Sequence, residues 1–160
     1  MKLPIALTIA MIPTLSMANC IPPWQTQFAC DIPERNARAE FCRIAEPRLH
    51  PGRAELYYTF VTGTRPAELY FEAESYIFST KEMGSDRPSE ITSGIGYPRG
   101  NYVYAFFITD DQRRPGSVRD AEVRAYNSVD AFSNSTRSNE VVRLRCERAS
   151  IVADFDSIRP

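Results

Sequence analysis

The chain has 160 residues, a formal net charge of −1, four cysteines and a single histidine. That length suits one domain around one core, and a charge so near neutrality opposes an electrostatic grip on nucleic acid or an anionic lipid surface. No apolar run is long enough to cross a bilayer comfortably, so no membrane span is expected.

At the N-terminus, Lys2 gives a positive start, Leu3 to Leu15 is largely apolar, and Ser16-Met17-Ala18 puts small residues at the cleavage-pocket positions. The pattern predicts a secretory signal peptide over residues 1–18, cut after Ala18, and a single secreted or periplasmic β domain over residues 19–160. Cys20 offers a lipoprotein alternative, which Asn19 disfavours because the residue before a lipidated cysteine is normally small. In an oxidising compartment Cys20, Cys30, Cys42 and Cys146 imply two disulfides. Cys30 and Cys42 are symmetric about Asn36 in "FACDIPERNARAEFC". A hairpin there favours Cys30 with Cys42 and leaves Cys20 for Cys146; the rival pairing, Cys30 with Cys146 and Cys20 with Cys42, stays open. Without a CxxC pair, zinc is not expected.

Further along, "AELYYTFV" alternates Leu56, Tyr58 and Phe60 against Tyr57, Thr59 and Val61. After "TGTRP", "AELYFEA" sets Leu69, Phe71 and Ala73 against Tyr70, Glu72 and Glu74, as a strand with one wet face should. "SYIFST" and a polar loop from Lys81 to Glu90 lead to "SGIGYPRG", residues 93–100, which reads as a glycine-rich loop stiffened by Pro98. It feeds "YVYAFFIT", apolar on both faces and therefore a central strand. A second loop, "DDQRRPGS", precedes strands at "AEVRAYN" and "NEVVRLRCE", the latter burying Val142, Leu144 and Cys146 against exposed Arg143 and Arg145. The tail "SIVADFDSIRP" can add a last edge strand. With about seven to nine short strands and no convincing amphipathic helix, the expected fold is all-β, a small antiparallel sandwich or barrel with two disulfides.

Catalytic groups are sparse. His50 sits in "PRLHPG" with nothing to orient it, and no G-x-S-x-G elbow exists. Glu72 with Glu74, Asp110 with Asp111, and Asp154 with Asp156 are the carboxylate pairs available for acid–base work, all at positions where solvated acids normally sit. Gly94, Gly96 and Gly100 precede a strand rather than opening a helix, so they offer no phosphate cradle. Asn134-Ser135-Thr136 is a glycosylation sequon, relevant only to a eukaryotic source. No enzyme activity, cofactor or metal is expected, and a rigid loop suits binding.

The spacing Ser93-Gly94-x-x-Tyr97-x-x-Gly100-x-Tyr102-Val103-Tyr104 resembles the S-G-x-R-Y-x-x-G-x-Y motif of the membrane-bound and periplasmic inhibitors of c-type lysozyme. The resemblance implies a small exported β-barrel whose loop enters a lysozyme cleft. Ser93 would then be the polar probe, Tyr97 a packing or contact residue, and Gly94 and Gly100 turn makers. Gly96 stands where that family has arginine and Ala105 where it has tryptophan, so Arg99 would supply the charge from the loop tip. The wider layout also resembles short exported bacterial proteins of unknown function. The sequence therefore suggests a non-enzymatic periplasmic binding protein, an inhibitor or immunity protein against a lysozyme-like cell-wall hydrolase. Its protein partner would be met through Ser93, Gly94, Tyr97, Arg99, Gly100 and Tyr102. The alternative is a structural or envelope-assembly protein that binds a partner through a β edge.

Overall fold

A computed structural model describes residues 20–44, 54–82, 90–111, 118–134 and 140–154. Two meanders account for most of them. β1 (Trp24–Ile32), β2 (Ala37–Ile44), β3 (Leu56–Thr62) and β4 (Leu69–Ala73) form one sheet, completed by β10 (Val152–Ala153) in the order β10-β1-β2-β3-β4. β5 (Ile77–Glu82), β6 (Glu90–Arg99), β7 (Tyr102–Asp111), β8 (Val118–Tyr126) and β9 (Glu140–Arg145) form the second, in chain order. Every pairing is antiparallel. The result is the all-β sandwich that the alternating runs imply. The short tail strand is present too, as β10 on the edge beside β1. No helix among the described residues is long and apolar enough to cross a membrane.

Period-2 alternation decides what each sheet buries. Phe28, Phe41, Tyr58, Phe71, Ile95, Tyr97, Phe106 and Val123 turn inward and make one aromatic core. The Phe28 and Phe106 rings stack across it with centroids 4.4 Å apart, and Phe41 meets Tyr97 edge-on at 5.1 Å. Such ring pairs add about 1 kcal/mol each beyond the area they bury. β7 is the middle strand of its sheet and is buried on both faces, as its two-sided apolar pattern demands.

Its outer face needs a cover, which is the six-residue helix α1 (Val129–Asn134), an element not foreseen in the sequence. Ser128 starts it, its Oγ accepting from the Ala131 N–H at 3.0 Å. Phe132 is thereby buried with Val103, Ala105, Phe107 and Tyr126 in a second cluster.

The disulfides are Cys20–Cys42 and Cys30–Cys146, with Cα separations of 5.8 and 5.6 Å. The favoured Cys30–Cys42 pairing is thus corrected to its rival. The β1–β2 turn is centred ahead of Asn36, so Cys30 lies opposite Ala39 rather than Cys42. Parity does the rest: Cys30 points inward with Phe28 and Ile32, whereas Cys42 lies on the outer face, where residue 20 arrives. One bridge joins the two sheets, and the other pins the N-terminal arm. With its sulfur in a disulfide, Cys20 cannot carry the thioether of a lipoprotein.

Candidate functional site

Residues 93–100 are not a free loop. Ser93 to Arg99 belong to β6, which pairs with β5 on one side and β7 on the other. Ser93 lies between Thr80 and Ile108 and is half-buried, sharing the inward face with Ile95 and Tyr97. Tyr97 is wholly buried, and its hydroxyl donates to Gln27 Oε1 at 2.6 Å. Gln27 is turned inward by the register shift between Thr26 and Phe28. A partner cannot reach Tyr97, so its expected contact role is corrected to core packing. Tyr97→Phe removes the buried hydrogen bond to Gln27 Oε1. We expect a loss of about 1 kcal/mol in a urea titration; no change would mean that this hydrogen bond contributes nothing net to stability.

Gly94 and Gly96 have a packing reason rather than a turning one. A Cβ on Gly94 would stand 2.5 Å from Phe107 Cε1, and one on Gly96 would stand 2.5 Å from Val103 Cγ1 and 3.1 Å from Phe132 Cζ. The rings of the second cluster lie directly on the backbone of β6, which only glycine permits. Pro98 is tolerated because β5 pairs no further along β6 than Gly96, leaving that side of the strand without a ladder bond to lose.

What does project is the turn that follows. Arg99 pairs with Tyr102 across Gly100-Asn101, with Gly100 at φ +58°, the left-handed first position of a tight two-residue hairpin connection. Tyr102 is 46% exposed, and its ring lies 6.5 Å from that of Tyr104 beneath it. The Arg99 guanidinium sits over the Phe71 ring at 5.2 Å, and Phe71 packs on Tyr104 at 5.1 Å. The β6–β7 tip is therefore fastened to β4, the free edge of the first sheet. Of the six residues expected to meet a partner, Arg99, Gly100 and Tyr102 come together at this corner, while Ser93, Gly94 and Tyr97 sit along the paired strand.

Of the carboxylates named as catalytic candidates, Asp110 is buried near the end of β7 rather than solvated as its turn position suggested, and the others whose side chains are described are exposed. Glu72 is exposed and accepts from the Tyr70 hydroxyl at 3.1 Å, Glu74 is exposed beyond β4, and Asp154 is exposed after β10. His50 and Asp156 lie outside the described residues. Cys20, Glu40 and Cys42 approach one another at a metal-like distance, but both sulfurs are oxidised into the disulfide and cannot ligate.

The densest charge cluster was not singled out in the sequence. Glu122 accepts from Arg143 Nη2 at 2.9 Å and from Arg124 Nε at 2.9 Å, and Arg124 Nη1 reaches Glu140 at 3.2 Å. The signal available was alternation: Glu122, Arg124 and Tyr126 share the outer face of β8. Burial pushes the Glu122 carboxyl up, but hydrogen bonds from Arg143 and Arg124 and their charges outweigh it, and it sits below its ordinary value of 4.5. A group held ionised is a poor general acid. Because the folded value is depressed, its contribution is complete above the unfolded value and is lost as pH falls through the folded one. Stability should therefore decline on the acid side of about pH 4.5, and Glu122→Gln should flatten that limb in urea titrations between about pH 3 and pH 7.

No family model, curated protein or solved structure matches this chain.

Proposed function

We propose that the domain is exported by its N-terminal leader and acts by binding a protein partner, without chemistry of its own, through the corner where the Arg99–Tyr102 tip meets β4. What supports this reading is the make-up of the tip: an exposed tyrosine and an arginine, the residue types that dominate binding energy, the arginine over the buried Phe71 ring and the tyrosine beside the half-buried Tyr104 ring. A tip held this way loses little freedom on binding. The resemblance in residues 93–104 suggests a lysozyme-like cell-wall hydrolase as the partner, with the domain as its inhibitor or as an immunity protein. In that case the inserting element is the Arg99–Tyr102 tip and not the Ser93–Tyr97 segment.

A second reading has its own observation. The β4 edge, "LYFEA", carries no proline, lysine or arginine, the usual guards of a free edge, whereas the edges β5 and β9 carry Lys81 or Arg143 and Arg145. Strand addition along β4 would suit an envelope-assembly role.

Retention of an envelope protein on immobilised domain tests the corner. Arg99→Ala with Tyr102→Ala should reduce retention about tenfold or more with little change in melting temperature, and equal retention would remove the corner from consideration. Slower lysis of a peptidoglycan suspension by a hydrolase, relieved by the same double variant, is the result expected of an inhibitor. Unchanged lysis across several hydrolases would exclude that partner class and leave the edge reading.

A further inference from the structure

The aromatic core is closed around Phe28, Phe41 and Phe106 but open farther along the sandwich. There Tyr58, Phe60 and Leu69 of the first sheet face Tyr104, Val123 and Leu144 of the second across a cleft of about 240 Å³. Phe60, Leu69, Tyr104 and Leu144 are only half-buried, so apolar surface remains on the cleft walls. An apolar cavity of about 150 Å³ holds a benzene ring, so this volume admits one substituted ring or a short acyl chain and is small for a drug-sized ligand.

Polar groups in the cleft are few and of one kind. Tyr58 is 2% exposed and stacks on Tyr104 with centroids 5.6 Å apart. Neither phenol hydroxyl has a hydrogen-bond partner among the described residues. Burial, then the neighbouring Tyr104, push the Tyr58 hydroxyl up, which keeps it protonated and able to donate. The Tyr58 hydroxyl is not sealed from solvent but opens onto the cleft, so a bound acceptor would take the place of water there. At the rim, Arg35 is exposed and makes no ion pair among the described residues, while Glu68 is faced by Arg65 at 3.9 Å. Arg124 also borders the cleft, but Glu122 and Glu140 occupy its guanidinium.

We propose that this cleft is a binding site for a small monocarboxylate carrying one aromatic ring or a short acyl chain, its body between the sheets and its carboxylate meeting the Tyr58 hydroxyl and the Arg35 charge. The assignment uses neither Arg99 nor Tyr102, although cleft and corner adjoin, sharing Tyr104 and β4.

Calorimetric titration of the exported chain with phenylacetate and with hexanoate, each beside its neutral amide, tests the assignment. Saturable binding of at least one acid is expected, with the responding arm identifying the ligand's body. The matching amide should bind about tenfold more weakly, because a charge-assisted contact is lost, and Tyr58→Phe should weaken the acid about tenfold. Val142→Phe, which fills the cleft from β9, should abolish saturation; if that variant fails to fold, Tyr58→Phe still decides. No saturable binding of either acid, equal affinity for acid and amide, or affinity unchanged in Tyr58→Phe would overturn the proposal.

Discussion

Joint replacement of Cys30 and Cys146 by alanine is expected to lower stability by about 4 kcal/mol, because the bridge closes a long loop and joins the two sheets. The cysteines are 116 residues apart, so cutting the bond releases nearly the whole domain in the unfolded state. Local contacts depend on it as well. The Cys146 N–H donates to Ala121 O at 3.0 Å and the Glu147 N–H to Asp31 O at 2.8 Å, so the chain leaving β9 is held between β8 and β1. Cys20 and Cys42 are only 22 apart, and their bond ties down an arm that the Ile21 N–H to Tyr57 hydroxyl contact already anchors. Losing that bridge should cost less, about 3 kcal/mol. Guanidinium unfolding of the two paired variants checks the ranking, and an equal or inverted order would mean that the arm contributes more than its contacts show. Peptide mapping of the oxidised protein tests the connectivity itself.

The faces of most strands were legible because each reading needs only neighbours two residues apart. Leu56 and Tyr58, Phe71 and Ala73, and Val142 and Leu144 all turn as alternation requires. The cysteine pairing was not legible, because it depends on where the β1–β2 turn is centred. Proline at the start of the turn and Asn36 in the left-handed region at its end place Ile32 opposite Ala37. That register sets Cys30 and Cys42 on opposite faces. α1 escaped notice because six residues are too few to show a helical period; its one local mark is the Ser128 cap. The site was half legible for a similar reason. Gly100-Asn101 is a hairpin signal readable from two residues, whereas the need for glycine at 94 and 96 is set by Phe107, Val103 and Phe132, which arrive from other elements. Glycines that mark close approach look the same in a sequence as glycines that mark a turn.

That ambiguity has a direct consequence for mutation. Gly94→Ala is expected to destabilise the domain by about 2 kcal/mol and Gly94→Val by about 3 kcal/mol, through overpacking against Phe107. The added Cβ would meet Phe107 Cε1 at 2.5 Å and Cδ1 at 2.6 Å, and the ring has little room to retreat. The Arg124 guanidinium lies over it at 4.3 Å and Phe132 stands beside it at 5.8 Å, with Arg124 in turn fixed by Glu122 and Glu140. Gly100→Ala provides the contrast. Nothing lies within 4 Å of its Cβ position, so only the strain of φ +58° remains, about 1 kcal/mol. A projecting glycine loop would give a different result, with residue 94 tolerating alanine. A double-mutant cycle separates packing from backbone effects. In a Phe107→Ala background the added methyl meets space instead of a ring, so Gly94→Ala should cost much less there than in the wild type. If its cost is the same in both backgrounds, the glycine serves the backbone of β6 and the ring above it is incidental.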